Sequence, residues 1–102
     1  MNLSNPFNTM APDRTMTKEE VARAIRQDIA AELDAVTLYE AHIQNTDDEH
    51  VQAVLQHIVD EEKTHAAELN ALLEYLDNDQ KMLNIKGYAH TEALIAGEEV
   101  ED

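Results

Sequence analysis

Apolar residues recur every three or four positions along two long stretches of this chain, which is the spacing of one face of an α-helix. In the first stretch, from Lys18 to about Asn45, the apolar face comprises Val21, Ile25, Ile29, Val36, Tyr39 and Ile43. In the second stretch, from about Asp47 to Leu76, it comprises Val51, Val54, Leu55, Ile58, Leu69, Leu72, Leu73 and Leu76. Neither stretch contains Gly or Pro, so the pattern predicts two long, uninterrupted helices.

Capping signals precede both helices. Thr17, followed three residues later by Glu20, has the pattern of a capping box, in which a hydroxyl and a carboxylate satisfy backbone N–H groups at a helix start. Thr46 and Glu49 repeat that pattern after the first helix ends. We therefore expect a capping box at the start of each long helix.

The last quarter of the chain contains both of its glycines. A turn is expected at residues 77–79, followed by a short helical segment over residues 80–86 that Gly87 stops. A small third helix is expected over residues 88–96, and Gly97 is expected to end it.

The chain thus divides into a flexible N-terminal tail (residues 1–16), one helical domain (residues 17–97) and an acidic tail (residues 98–102). Two long helices joined by a short loop form an antiparallel hairpin. Each helix of roughly 28–30 residues is about 42–45 Å long, and such a hairpin cannot cover its own apolar stripe. A second copy would cover it, so we expect an all-α fold: a two-helix hairpin plus a short C-terminal helix, dimerising into a four-helix bundle.

Composition narrows the choice of partners. The 102 residues include 22 Asp and Glu against 7 Lys and Arg, which gives a formal net charge of −15. Phosphate binding needs a basic stripe, so neither nucleic acid nor an anionic membrane surface is an expected partner. No apolar run approaches the roughly 18 residues of a membrane span. The lack of Cys excludes disulfides and thiolate metal sites, and the negative charge suits either a solubilising surface or the attraction of cations.

Three ionisable residues interrupt the apolar faces. Glu62 and His65 share the face of the second helix, and Glu32 lies on the face of the first. The distance from the loop, measured along the helices, differs between Glu32 and Glu62 by about one residue, roughly 1.5 Å. We therefore expect the three side chains to converge. Burying unpaired charges costs several kcal/mol, so their shared position needs an explanation.

One Glu and one Glu-x-x-His motif are half of the ligand set of a carboxylate-bridged di-iron site in a four-helix bundle. A dimer would supply the other half and bury the apolar faces in the same step. Carboxylate and imidazole ligands without thiolate suit iron, manganese or zinc. The alternative is a helical dimer whose polar layer sets the register and holds no metal.

Two segments carry a family resemblance. Residues 30–39 (AAELDAVTLY) and 60–66 (DEEKTHA) are similar to those of the encapsulated ferritins, short ferritin-like proteins held inside encapsulin nanocompartments. The likeness covers about residues 17–77. It implies a ferroxidase that oxidises Fe(II) with O₂ or peroxide at a di-iron site between two subunits, within a decameric ring of five dimers.

The resemblance also implies roles for single residues. Glu32, Glu62 and His65 match the iron ligands of the family, and Tyr39 matches its tyrosine beside the site. Family members carry further acidic groups that attract metal near the site. Of these the chain keeps Asp34, but it has Ala31 at the accompanying position.

A second metal-attracting group of the family corresponds to His57 and Glu61, with Thr64 here in place of an acid. His57, Glu61 and Asp34 are therefore candidates for metal uptake or transit, with a solvated helix face as the alternative. Tyr75 is expected to pack at the end of the second helix.

The resemblance implies an encapsulin shell protein as partner and a place in the cytoplasm, inside the nanocompartment. No shell-targeting peptide is recognisable in residues 97–102, so we expect a shortened cargo protein or the ferritin-like part of a fusion. The alternative function is a non-catalytic assembly module in which zinc or calcium takes the place of iron and staples the dimer.

Overall fold

Three helices make up the computed structural model of the chain, which describes residues 11–100. They are α1 (Lys18–Gln44), α2 (Glu49–Leu76) and α3 (Asn78–Ile95). Residues 11–100 contain no β-strand. The all-α prediction is confirmed. Residues 1–10 of the predicted flexible tail and the last two residues of the predicted acidic tail lie outside the described part.

The start of α1 has the predicted capping box. The Thr17 hydroxyl accepts a hydrogen bond from the Glu20 amide (3.2 Å), and the Glu20 carboxylate accepts one from the Thr17 amide (3.0 Å). Arg14 adds two hydrogen bonds to the same carboxylate, of 2.7 and 2.8 Å. The Arg14 hydrogen bond and those from Thr17 lower the pKa of Glu20 to about 2, so α1 begins on a carboxylate that stays ionised.

The predicted capping box at the start of α2 is wrong. Asp48 is the N-cap, and its carboxylate accepts hydrogen bonds from the amides of His50 (2.9 Å) and Val51 (3.2 Å). The Thr46 hydroxyl instead accepts one from the Asp48 amide, within the loop. A carboxylate beside the first turn satisfies two free N–H groups and also favours the positive end of the helix dipole, which is why α2 begins at Glu49.

The predicted break at Gly87 is also wrong, because α3 is one helix of 18 residues that passes through it. An interior glycine costs a helix about 1 kcal/mol relative to alanine, which good helix formers on either side offset. Asp77 alone separates α2 from α3, in place of the predicted turn. Its amide donates a hydrogen bond to the Leu73 carbonyl (2.8 Å) at the end of α2, and its carboxylate accepts one from the Gln80 amide (3.1 Å) at the start of α3. Gly97, with a φ of 82°, does end the helix as predicted.

The helices α1 and α2 pack along their length through one row of residues each, spaced alternately three and four apart. We call these two rows the seam. In α1 the seam comprises Ala22, Ile25, Ile29, Glu32, Val36, Tyr39 and Ile43. In α2 it comprises Gln52, Leu55, Val59, Glu62, Ala66, Leu69, Leu73 and Leu76. Every seam residue is buried or half-buried, and this spacing is that of coiled-coil packing.

The apolar face predicted for α2 proves to be two rows rather than one. The second row precedes the seam by one residue at each position, and we call it the outer stripe. It comprises Val51, Val54, Ile58, Glu61, His65, Glu68, Leu72 and Tyr75. All of its residues except the half-buried Ile58 are exposed. The prediction merged the two rows because a step of one residue turns a helix by only about 100°.

The hairpin has two broad faces that differ in character. The site face carries the outer stripe and, on α1, Leu38 and the small or polar residues in line with it. The polar face carries the residues that follow the seam, among them Arg23, Thr37, Glu40, Asp60 and Lys63, with Leu33 as its one large exposed apolar side chain among the described residues. The overall dimensions of 48 × 45 × 15 Å are those of a slab one helix thick.

A polar network fixes the elbow between α2 and α3. Arg26 on α1 pairs with Asp77 at 2.7 Å, and the Asn84 amide donates to Glu74 across the elbow at 3.0 Å. Beyond the elbow α3 has no buried residue. Its exposed apolar side chains are Met82, Leu83, Ile85, Tyr88, Leu94 and Ile95.

The radius of gyration is 18.2 Å, whereas a compact domain of this length has about 13 Å. The single chain therefore leaves much apolar surface to be covered. Within residues 11–100, no helix has both the length and the apolar character needed to cross a membrane.

Candidate metal centre

Glu32, Glu62 and His65 meet near the middle of the hairpin. Glu32 and Glu62 face each other across the seam, and His65 lies one turn after Glu62 on the outer stripe. The His65 Nδ1 atom is 3.8 Å from Glu32 Oε2 and 4.0 Å from Glu62 Oε2. One ligand atom from each residue fits within 4.8 Å of the other two, and in residues 11–100 this is the one group of three or more such side chains with that geometry.

The seam register produces this convergence. The helices α1 and α2 run antiparallel. Two residues that are equally far from the loop, one before it and one after it, therefore lie side by side at the same height along the hairpin. The heptad spacing then turns both glutamates into the interface, where other positions of the seam hold residues such as Val36 and Val59. The structure therefore brings together the three residues that the sequence singled out.

One carboxylate oxygen of Glu32 is buried without a hydrogen-bond partner. This atom is Oε2, and the side chain as a whole is 26% exposed. A buried acceptor without a partner costs about 1–3 kcal/mol, and more when it carries charge. A cation beside Oε2 would remove that cost, so the donor set fits a metal ion in position as well as in chemistry.

His65 is more open than the sequence predicted. Its side chain is 48% exposed, against 22% for Glu62, because it belongs to the outer stripe and not to the seam. The prediction that all three residues occupy core positions is wrong for His65. The consequence is a cluster that opens onto the site face, where ligands from another molecule have room to approach.

Tyr39 and Asp34 lie outside this cluster. Tyr39 is a half-buried seam residue, two turns and about 10 Å along α1 from Glu32, and its ring is 6.4 Å from that of His42. Asp34 is exposed and is turned about 200° around α1 from Glu32. Within one chain, Asp34 therefore points away from the three clustered side chains.

The His57 Nε2 atom contacts the Glu61 carboxylate on the exposed surface of α2. The two residues border a pocket of about 250 Å³ that also reaches His65 and Glu68. The pocket thus joins the two predicted transit residues to His65, one member of the cluster. Glu68 was missed by the sequence reasoning, although its position three residues after His65 on the same stripe was a signal that could have found it.

Known proteins of one family match this chain. The family model described as EncFtn-like matches residues 9–90. The encapsulin nanocompartment cargo protein EncC of Myxococcus xanthus is 51% identical over 80 residues, which cover 78% of this chain and 61% of that protein. The ferritin-like–encapsulin shell fusion protein of Pyrococcus furiosus is 43% identical over 75 residues, 74% of this chain but only 21% of the fusion. The chain therefore spans less than two thirds of either relative.

A solved structure agrees in fold as well as in sequence. The crystal structure of the encapsulated ferritin domain from Pyrococcus furiosus has a TM-score of 0.77 and 38% identity to this chain, covering 94% of it and 96% of the domain. The resemblance seen in the sequence is therefore confirmed, together with the ferritin-like helical fold. The chain belongs to the EncFtn-like family of encapsulated ferritins.

Proposed function

We propose that this protein is a ferroxidase that oxidises Fe(II) to Fe(III) at a di-iron site shared between two copies of the chain. In each chain, Glu32 and His65 would together hold one iron ion as its terminal ligands, and Glu62 would bridge the two ions. Two chains supply two Glu and two Glu-x-x-His motifs, which is the complete ligand set of a di-iron four-helix bundle.

The observation that carries the proposal is the open, half-complete cluster with an orphaned oxygen. Three side chains alone leave a ferrous ion short of ligands, since such ions take more than three. The Glu32 Oε2 atom is buried without a hydrogen-bond donor, and the exposed His65 adjoins it on the face where apolar side chains are also uncovered. One association would satisfy the carboxylate, complete the ligand set and bury that surface.

The reaction needs two electrons from two ions of substrate. Each Fe(II) gives up one electron, and together the pair reduces O₂, with two protons, to hydrogen peroxide, or reduces peroxide to water. The protein holds both ions at one level of the bundle through oxygen-rich ligands, which favour Fe(III) over Fe(II). Tyr39, two turns along the seam, would act beside the site rather than as a ligand.

The approach of Fe(II) would follow the acidic surface. His57 and Glu61 border the pocket that reaches His65, and they would pass an ion to it. Asp34 would act from the other side of α1, with half of the acidic pair that the family carries. The net charge of −15 draws cations toward the whole molecule.

Assembly and location complete the proposal. Five dimers would form a decameric ring, with the exposed apolar residues of α3 joining one dimer to the next. The names of two relatives place one as cargo of an encapsulin nanocompartment and fuse the other to an encapsulin shell. We infer the same partner for this chain, with a cytoplasmic nanocompartment as the place where Fe(III) is stored as mineral.

The test is Fe(II) oxidation by the variants Glu32→Gln, Glu62→Gln and His65→Ala, with Glu40→Gln on the polar face as the matched control. We expect each ligand variant to fall to the rate of Fe(II) alone in buffer, and Glu40→Gln to keep the wild-type rate. Wild-type rates in all three ligand variants would refute the proposal. Binding of Fe(II), zinc or calcium with a gain in oligomer mass but no oxygen consumption would instead establish the metal-stapled assembly module.

A further inference from the structure

The two ring nitrogens of His65 have different surroundings. Nδ1 is the atom beside the cluster, 3.8 Å from Glu32 Oε2 and 4.0 Å from Glu62 Oε2. In the proposed metal centre Nδ1 would therefore bind the ion, which leaves the proton of the neutral ring on Nε2. The same ring borders the pocket of about 250 Å³ on α2, so an acceptor for Nε2–H is to be sought among the residues of that pocket.

A metal-bound histidine needs such an acceptor. A histidine that binds a metal through one nitrogen almost always donates the N–H of the other to a carboxylate, a backbone carbonyl or a water molecule. The hydrogen bond fixes the orientation of the ring and makes the metal-binding nitrogen more basic. The carboxylates that border the pocket with His65 belong to Asp60, Glu61 and Glu68.

Two of these three carboxylates already have a partner. The Gln56 amide donates a hydrogen bond to Asp60 at 3.1 Å, and the His57 Nε2 atom contacts the carboxylate of Glu61. No residue in the described part of the chain gives Glu68 a hydrogen bond or an ion pair. Glu68 is therefore the acid of the pocket that is left for the imidazole.

The position of Glu68 on α2 favours the same pairing. It follows His65 by three residues, and side chains three residues apart on a helix are neighbours. Because helical side chains lean toward the N-terminus of the helix, the Glu68 side chain leans toward His65. Beyond it the outer stripe continues with Leu72, which has no donor, and Tyr75, which is 79% exposed instead of packing at the helix end as predicted. Neither draws the carboxylate away from His65.

We propose that Glu68 accepts a hydrogen bond from His65 Nε2–H and thereby holds the imidazole with Nδ1 turned toward the two glutamates of the cluster. The inference rests on the proposed function, because it takes Nδ1 as the atom that binds the ion. Glu68 itself would bind no ion. It acts through His65 and is a positioning residue, whose negative charge also favours the more positive ring of a metal-bound histidine.

Zinc-loaded protein labelled with ¹⁵N-histidine tests the hydrogen bond by NMR without any oxidation, since Zn(II) has no redox chemistry. The Nε2–H of His65 should give a resonance that exchanges slowly with water in the wild type and in Glu68→Gln, whose amide oxygen still accepts. Glu68→Ala should lose this resonance, whereas Asp60→Ala, which removes a carboxylate from the same pocket, should keep it. The variant His65→Gln identifies the resonance among those of the five histidines. A slow resonance that survives in Glu68→Ala would overturn the proposal.

The affinity for Zn(II), measured by calorimetry, gives the size of the effect. Glu68→Ala should raise the Zn(II) dissociation constant about 10- to 100-fold, the usual cost of removing such a partner, while Glu68→Gln and Asp60→Ala stay within about threefold of the wild type. Equal losses in Glu68→Ala and Asp60→Ala would mean that Glu68 only adds charge to the pocket, and would contradict the positioning role.

Fe(II) oxidation separates this proposal from the proposed function. A wild type that oxidises Fe(II), together with a Glu68→Ala variant that keeps the slow resonance and the wild-type affinity for Zn(II), rejects only the positioning role. A wild type that oxidises no Fe(II), with both zinc measurements as predicted, rejects only the function.

Discussion

The site face and the polar face of the hairpin are built on the same two helices, yet they serve different needs. On the site face, exposed Val51, Val54, Leu72 and Tyr75 flank the cluster of side chains that could hold a metal ion. On the polar face, charged and amide side chains follow the same seam, and Leu33 alone among its described large apolar residues is exposed. The residues that precede the seam by one position thus form the surface proposed to contact a second copy, and those that follow it by one position form a solvent-exposed polar surface.

A charge placed on each face in turn should distinguish the two faces most strongly. Val54→Lys puts an ammonium group into the proposed contact, where leaving it unpaired costs several kcal/mol. We expect its dimer dissociation constant to rise at least a hundredfold and Fe(II) oxidation to fall with it at low protein concentration. Leu33→Lys, with similar exposure on the polar face, should change neither. Equal effects of the two substitutions would remove the distinction between the faces.

Much of the site could be predicted from the sequence because it depends on the seam. Helix periodicity and the position of the loop fix which level of α1 faces which level of α2, and this is enough to bring Glu32 and Glu62 together. The burial of His65 could not be predicted in the same way. Whether a residue belongs to the seam or to the row beside it depends on the rotation of α2 about its own axis, which a broad apolar face leaves undefined.

The seam itself offers the next test. Glu32→Leu removes the buried oxygen that lacks a hydrogen bond and fills a heptad position with an apolar side chain. We expect the metal-free variant to unfold with a free energy about 1 kcal/mol higher than the wild type. Glu40→Leu, on the polar face, should stay within about 0.5 kcal/mol.

Denaturant unfolding in the presence of a chelator measures both variants. We expect metal to raise the Tm of the wild type, because a ligand that binds only the folded state stabilises it. Glu32→Leu should lack this rise. A Glu32→Leu protein less stable than the wild type without metal would mean that Glu32 is not a cost to the seam.

The helix ends show why local signals sometimes mislead. The Thr17–Glu20 capping box formed as predicted, whereas the identical spacing at Thr46–Glu49 did not, because Asp48 lay closer to the free amides and carries a charge. Gly87 did not interrupt α3, since one glycine costs less than the hydrogen bonds that a break would forfeit. In each case a competing interaction nearby decided the outcome.

A weaker change is expected at the start of α1, away from both faces. The folded-state pKa of Glu20 is about 2, below its ordinary value of 4.5, so the ionised carboxylate stabilises the folded form above pH 4.5. That contribution is lost as the pH falls from 4.5 toward 2. The protection factors of the amides in the first turn of α1, which are exchange rates corrected for the intrinsic effect of pH, should therefore fall over this range.

Glu20→Gln is the control for that titration, because its first-turn protection factors should be lower than those of the wild type and should no longer change between these pH values. The metal centre lies about three turns further along α1, so Fe(II) oxidation at neutral pH should be the same in this variant as in the wild type. A pH-independent first turn in the wild type would contradict the assignment.

Under the proposed function, the candidate metal centre is complete only between two chains. Native mass spectrometry under anaerobic Fe(II) titration tests it directly. The shared site predicts even-numbered assemblies that hold one iron per chain, and monomers that hold none. Two results would contradict the shared site. One is a monomer that retains iron as tightly as the assemblies do, and the other is a dimer that takes up no iron when Fe(II) is added.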